Sequence, residues 1–360
     1  MTDRIGIVTG GGDSPGLNTV IRAVVKAATR RGWETIGFHG GYEGMLNPVQ
    51  YRSLDYREMD SLLFRGGTIL GTSNRGRFSA KVGHGEVRRV PQEILEEAYA
   101  NFKELGLRAL VCIGGDGSLT IAQQLFETGM PVIGIPKTID NDLDATIMTF
   151  GFETAVNCAV DALDRLHTTA ESHDRVMVLE VMGRYAGWIA AAAGLAGGAD
   201  VILIPEIPFE YPSIIARIEE REGYDKHFTI IIVAEGAREK EGDYVASTSN
   251  ETGEARLGGI GHVIADEIQT RTGKETRAVV LGHLQRGGSP SAWDRQLCTR
   301  FGVSAVEQIA DENYGVMVAL TLSGIAPVEL VDAIDKIRTV PPDGEIVRVG
   351  RALGISFGSE

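Results

Sequence analysis

Eight short apolar runs set the architecture of this chain: RIGIVT (4–9), TIGF (35–38), ALVCI (109–113), PVIGI (131–135), VMVLEV (176–181), DVILIP (200–205), FTIIIVA (228–234) and RAVVLG (277–282). Between them lie segments such as LNTVIRAVVKAATRRG (17–32) and PQEILEEAYANFKELG (91–106), which have helical periodicity and end in Gly. Strands that are apolar almost throughout, divided by helices, belong to parallel sheets covered on both faces. Eight such strands can close one barrel or form two doubly wound sheets. Irregular polar insertions, roughly 39–90 and 236–258, break an even eightfold rhythm, so two sheets are expected. A length of 360 residues suits two domains of ordinary size.

Charge and cysteine content narrow the partners. The net charge of −14 makes nucleic acid an unfavourable partner for the surface as a whole, so any local cluster of arginine needs its own explanation. Cys112, Cys158 and Cys298 are far apart and form no CxxC pair, as in a reduced compartment. MTDRIGIVTGG lacks a basic leader with an apolar core, and WIAAAAGLAGGA (188–199) is short, Gly-interrupted and followed by Asp200. A cytoplasmic protein with no membrane partner is expected.

In open α/β sheets, ligands bind outside the carboxyl ends of the strands. The residues there are GGGDSPG (10–16), GGDGS (114–118), KTIDND (137–142), MGR (182–184), EG (235–236) and HLQRGG (283–288). Turns account for Gly, Asn and Asp, but not for repeated Arg and His. GGGDSPG leads into a helix expected near Pro15, with Asp13 or Ser14 as N-cap, and bare glycine amides at a helix start suit phosphate. A plain β–α turn is the alternative. The dinucleotide pattern GxGxxG fails because Pro15 stands at its last glycine.

GGDGS repeats the design. Gly114, Gly115 and Gly117 let backbone approach a polyphosphate, Ser118 can cap the helix, and Asp116 can hold Mg²⁺ directly or through water. KTIDND adds carboxylates that could take a hydroxyl proton or help bind a metal-phosphate, with Lys137 to offset charge on the transferring group. An Asx-rich turn capping its own backbone is the alternative. Walker and protein-kinase motifs are absent.

The second set is cationic: Arg175 and Arg184 flank VMVLEV, Arg277 opens RAVVLG, and His283 and Arg286 follow it. Arginine forks match phosphate oxygens, although a single Arg is usually a surface ion pair and His283 alone is usually structural. Glu235 could accept from sugar hydroxyls or cap its turn. One half thus offers glycine loops and carboxylates, the other Arg and His. A metal-polyphosphate donor and a phosphorylated, hydroxyl-bearing acceptor satisfy both.

The motifs GGGDSPGLNTVIR, RGGTILGTS, IGGDGS, PKTIDNDL, GFETA, SHDR, EVMGRYAGWIA and LGHLQRGGSP, in this order from residue 4 to about 300, resemble those of the 6-phosphofructokinases. The resemblance implies an α/β fold of two doubly wound αβα domains with the active site in the cleft between them. It implies a donor domain of 1–150 plus about 285–335, and a sugar-phosphate domain of 151–284 plus about 336–360. The implied reaction is transfer of a phosphoryl group to the 1-hydroxyl of fructose 6-phosphate, with Mg²⁺, in a homodimer or homotetramer.

By position, the resemblance makes Asp140 the catalytic base and Asp142 its electrostatic companion. Thr138 and Arg184 would contact the transferring group, and Thr138, Ile139 and Asp140 would face the substrate. Gly11, Gly12, Arg75, Gly115, Asp116, Gly117 and Ser118 would line the donor site, with Asp116 serving the metal; Arg77 could replace Arg75. Met182, Gly183, Glu235, His283 and Arg286 would bind the sugar phosphate, joined by Arg175 and Arg277 from a neighbouring subunit. Arg22 and Lys26 match part of the family's effector site, or form a solvated helix face.

The donor is set by two positions. Family members that use ATP typically have glycine at both the Gly117 and the Lys137 positions, and those that use pyrophosphate have aspartate and lysine. This chain combines Gly117 with Lys137. Gly117 leaves room for the α-phosphate of ATP, and Lys137 can coexist with ATP if its stem moves aside, so ATP is expected and pyrophosphate is the alternative. The ending GRALGISFG resembles the mixed-donor branch. A non-catalytic sugar-phosphate sensor and a nicotinamide oxidoreductase are the readings from other classes. The intact DND with Asp116 opposes the first, and the missing glycine fingerprint opposes the second.

Overall fold

The computed structural model describes residues 3–73, 76–78, 89–249 and 255–359. Thirteen strands occur among them. In chain order they are β1 (Arg4–Thr9), β2 (Glu34–Phe38), β3 (Tyr51–Ser53), β4 (Leu107–Gly114), β5 (Val132–Pro136), β6 (Val176–Val181), β7 (Val201–Leu203), β8 (Thr229–Ala234), β9 (Ala246–Ser249), β10 (Ala255–Leu257), β11 (Thr276–Val280), β12 (Val316–Thr321) and β13 (Gly324–Glu329). All eight runs read from the sequence are strands. The chain divides into two units. Unit one is 1–138, 143–153 and 286–337, and unit two is 139–142, 154–285 and 338–360.

Unit one is built on a seven-stranded sheet of order β13-β12-β5-β4-β1-β2-β3. β1, β2, β4, β5 and β12 run parallel, while β3 and β13 pair antiparallel at the two edges. Period-two alternation sends side chains to opposite faces. Ile5 and Ile7, with Ala109, Val111 and Ile113, enter one core, whereas Val8, Leu110 and Cys112 enter the other. Helices α1 (Leu17–Arg30) and Ala292–Ala310 cover the first face; α2 (Gln92–Glu104) and α3 (Asp116–Glu127) cover the second. Each fully buried Ile or Val contributes roughly 1.5–3 kcal/mol, which favours continuous apolar strands over alternating ones.

Unit two carries a parallel four-stranded sheet of order β11-β6-β8-β7 and a separate β9–β10 hairpin. β6 and β8 are buried along their whole length. Among the described residues, no helix is long and apolar enough to cross a membrane.

Candidate active site

In unit one, β5, β4 and β1 are neighbours, so their following loops share one sheet edge. β1 leads to β2 on one side and β4 to β5 on the other, which makes the β1/β4 boundary the switch point where ligands bind in such sheets. The N–H of Gly10 donates to the Ile113 carbonyl at 2.9 Å and locks the two strand ends together. Ser118 lodges between them. A Cβ on Gly10 would fall 2.5 Å from its Oγ, and one on Gly114 would fall 2.2 Å from its Cβ.

Neither expected cap is present. α1 starts at Leu17 after Gly16, whose φ of 111° only glycine adopts readily, and no side chain caps it. Asp13 and Ser14 therefore lie upstream of the helix, and the Ser14 hydroxyl faces the Pro15 and Phe150 carbonyls. α3 starts at Asp116 after Gly115, again without a side-chain cap, which leaves Ser118 inside the first turn with its side chain buried. The amides of Asp116, Gly117 and Ser118 are first-turn donors with no intrahelical acceptor, an arrangement suited to anions.

The loop after β1 is held by side chains at three successive carbonyls. Thr72 Oγ1 donates to Gly11, Lys137 Nζ to Gly12 at 2.6 Å, and Arg286 Nη1 to Asp13 at 3.0 Å. Lys137 is only 4% exposed. Instead of a mobile cation, it is a buried strut, because its stem runs from the β5 end to a fixed carbonyl. Thr138, 9% exposed, is secured by Thr149 Oγ1 on its carbonyl at 2.7 Å. Arg75 lies outside the described residues. Arg77 forms a surface ion pair with Glu97, and Lys26 one with Asp60.

Asp116 is half-buried at the start of α3, and no group of three or more metal-ligating side chains occurs among the described residues. A single carboxylate beside anion-binding amides fits Mg²⁺ arriving with a polyphosphate, because Mg²⁺ keeps its waters and takes few protein ligands.

The stretch Ile139–Asp142 belongs to unit two. It is no solvated turn, since Ile139, Asp140 and Asn141 are all buried. Asn141 has φ 53°, a left-handed position that asparagine tolerates, and the Asp142 carbonyl accepts the Arg338 N–H at 2.8 Å.

Three neighbouring strands of unit two, β11, β6 and β8, bring their carboxyl ends together. His283 is exposed on the short turn of helix Gly282–Arg286 after β11, Met182–Arg184 follow β6, and Glu235 follows β8. Glu235 Oε1 accepts the Arg184 N–H at 3.1 Å. Burial pushes the Glu235 carboxyl up to about 7; that hydrogen bond pulls it down, and the charges of Asp140 and Glu180 push it further up.

Arg175 and Arg277 are placed elsewhere. Arg175 precedes β6 and Arg277 lies at the start of β11, and both pair with Glu275 at 2.8 and 2.7 Å. A six-residue strand such as β6 spans about 20 Å, so within one chain these arginines stand at the opposite sheet edge from Arg184 and His283.

Sequence reasoning missed Glu180, Gln285 and Thr72. Glu180 is 2% exposed and accepts the N–H groups of Gly259 and Gly261, which anchors the start of helix Ile260–Thr272. Its signal was available, as the only charge in a wholly buried strand. Gln285 and Thr72 carry no such mark.

Comparison with known proteins identifies the family. A family model described as Phosphofructokinase matches residues 4–309. The chain is 53% identical to the ATP-dependent 6-phosphofructokinase of Chloroflexus aggregans, over 99% of this chain and 98% of the relative. It is 50% identical to the pyrophosphate–fructose 6-phosphate 1-phosphotransferase of Amycolatopsis methanolica, over 94% and 97%. Among solved structures, Pichia pastoris phosphofructokinase in the T-state matches with a TM-score of 0.80 at 30% identity, over 93% of this chain and 36% of that longer one.

Proposed function

Because the chain belongs to the phosphofructokinase family, we propose that it transfers the γ-phosphoryl group of ATP to the 1-hydroxyl of fructose 6-phosphate, giving fructose 1,6-bisphosphate and ADP. The observation that carries this reading is the carboxylate of Asp140, which follows shortly after β5 in the chain and is only 5% exposed. A carboxylate so placed can accept the hydroxyl proton as the sugar oxygen bonds to phosphorus and the bond to the ADP oxygen breaks. Asp142 supports the charge balance. Thr138 and Arg184 contact the transferring group.

The donor phosphates lie against the amides of Gly11, Gly12 and Gly115–Ser118. Asp116 would hold Mg²⁺, which would supply positive charge to offset that of the donor phosphates. Met182, Gly183, Glu235, His283 and Arg286 hold the sugar phosphate. Arg175 and Arg277 serve a neighbouring subunit of a homo-oligomer, in keeping with their position at the far edge of the sheet. A monomer that is fully active in sedimentation at assay concentration rules that sharing out. A cytoplasmic site of action completes the reading.

ATP is the donor because Gly117 leaves open the space that an aspartate would fill. Lys137 favours pyrophosphate as the second reading, as does the pyrophosphate-dependent name of one relative. The test of the reaction is Asp140→Asn, which keeps the shape and removes the base. It should lower kcat roughly a hundredfold or more with the KM for fructose 6-phosphate nearly unchanged. Near-normal turnover refutes the assignment.

A further inference from the structure

The turn after β6 has a backbone that its sequence does not choose unaided. Gly183 has φ 140° and Arg184 φ 51°, and a side-chain-bearing residue occupies that left-handed region only where its surroundings impose it. The surroundings are specific. Glu235 Oε1 accepts the Arg184 N–H at 3.1 Å, and Gln285 Oε1 accepts the Met182 N–H at 2.8 Å. Gly236 lies so close beneath Arg184 that a Cβ there would fall 1.9 Å from the Arg184 carbonyl oxygen. The turn is thus fixed on both sides of Gly183.

Glu235 already has a role at the sugar, whereas Gln285 has none. It is fully buried, and its Nε2 finds no acceptor among the described residues. An amide with one end unsatisfied is a poor core residue, since a leucine of similar volume fills the space without stranding a donor. What the amide supplies and leucine cannot is an acceptor for Met182. Its orientation is fixed for the same reason, because turned over it would set NH₂ against N–H.

We infer that Gln285 is a positioning residue for the sugar phosphate. It acts through the Met182–Arg184 turn and does not touch the substrate. The inference rests on the reading of this chain as a fructose 6-phosphate kinase in which that turn meets the sugar. Without the Met182 bond the turn is free to shift, which costs use of fructose 6-phosphate and leaves the donor side alone.

The experiment compares Gln285→Leu and Gln285→Glu with the unmodified protein. Initial rates are taken with each substrate varied, together with thermal unfolding and hydrogen exchange of the peptide containing Met182. Gln285→Leu should lower kcat/KM for fructose 6-phosphate roughly ten- to a hundredfold, as loss of a buried hydrogen bond implies, with the KM for ATP within about twofold. Exchange at Met182 should quicken. Gln285→Glu keeps an acceptor oxygen and should recover protection and part of the lost rate. If Gln285→Leu does not fold, Gln285→Asn carries the same test, because its acceptor is one methylene short.

Unchanged rates and exchange overturn the inference, and so does an equal loss for both substrates. An unmodified protein that is inactive on fructose 6-phosphate would refute the reaction, and with it the sugar assignment. Exchange at Met182 would then still decide whether Gln285 holds the turn.

Discussion

Lys137→Met should weaken ATP use about tenfold while leaving the fold intact. The lysine Nζ sits 2.6 Å from the Gly12 carbonyl, one of three successive carbonyls that side chains hold in the loop after β1. A hydrogen bond with a charged partner contributes about 1.5–3 kcal/mol. Gly12 is half-buried, so water takes up part of the lost bond and the lower end of that range applies. About 1.5 kcal/mol converts to roughly tenfold in kcat/KM for ATP. Stability should change little, since methionine fills similar space and the cost of burying an ammonium disappears with it. The assay is initial rate against ATP at saturating fructose 6-phosphate, with a thermal scan of the same preparation. The KM for fructose 6-phosphate should stay within about twofold, because the loop lies on the donor side. An unchanged kcat/KM for ATP in a folded variant would show that the lysine is the mobile cation its sequence position allows, and the strut would be refuted.

Charge at Glu235 and charge at Gly117 can each be tested separately. Glu235, raised to about 7, is held protonated at low pH and ionises as pH rises through that value, so its contribution to fold stability is fully present below its ordinary range and is lost through about pH 7. If its carboxylate accepts from sugar hydroxyls, the KM for fructose 6-phosphate should fall between about pH 6 and 8, and Glu235→Gln should flatten that dependence beyond what the substrate phosphate causes. An identical pH profile in the variant removes Glu235 from the sugar. Gly117→Asp places a carboxylate in the first turn of α3, where the helix dipole welcomes it, so the unfolding temperature should hold or rise. ATP use should nevertheless fall about a hundredfold by like-charge and steric exclusion, and an unchanged ATP rate contradicts the role given to Gly117.

Strand identity was legible because buried parallel strands are apolar throughout, and every run from RIGIVT to RAVVLG is paired in a sheet. β12 carries the same signature in VMVALT, and period alone would have found it, whereas β3 is three residues of mostly exposed chain and offers no such cue. The loops themselves were visible as glycine, carboxylate and arginine clusters at strand ends. Their internal mechanics were not. The helix starts were misplaced because Ser and Asp favour caps only where the backbone permits, and here Gly16 and Gly115 make the turn instead. Lys137 read as a flexible cation since reach cannot be judged without its acceptor, the Gly12 carbonyl 125 residues earlier. Gln285 was hidden inside HLQRGG for the same reason: an uncharged amide acquires meaning only from the Met182 N–H brought beside it by β6–β11 pairing.

A phosphofructokinase whose Gly117 position admits ATP despite Lys137 should turn over with ATP as donor. Initial rates of fructose 1,6-bisphosphate formation from fructose 6-phosphate and Mg²⁺, with ATP and pyrophosphate compared at equal concentration, test it directly. Turnover with ATP and little with pyrophosphate is the predicted result; a preference for pyrophosphate would contradict it and make Lys137 the residue that selects the donor.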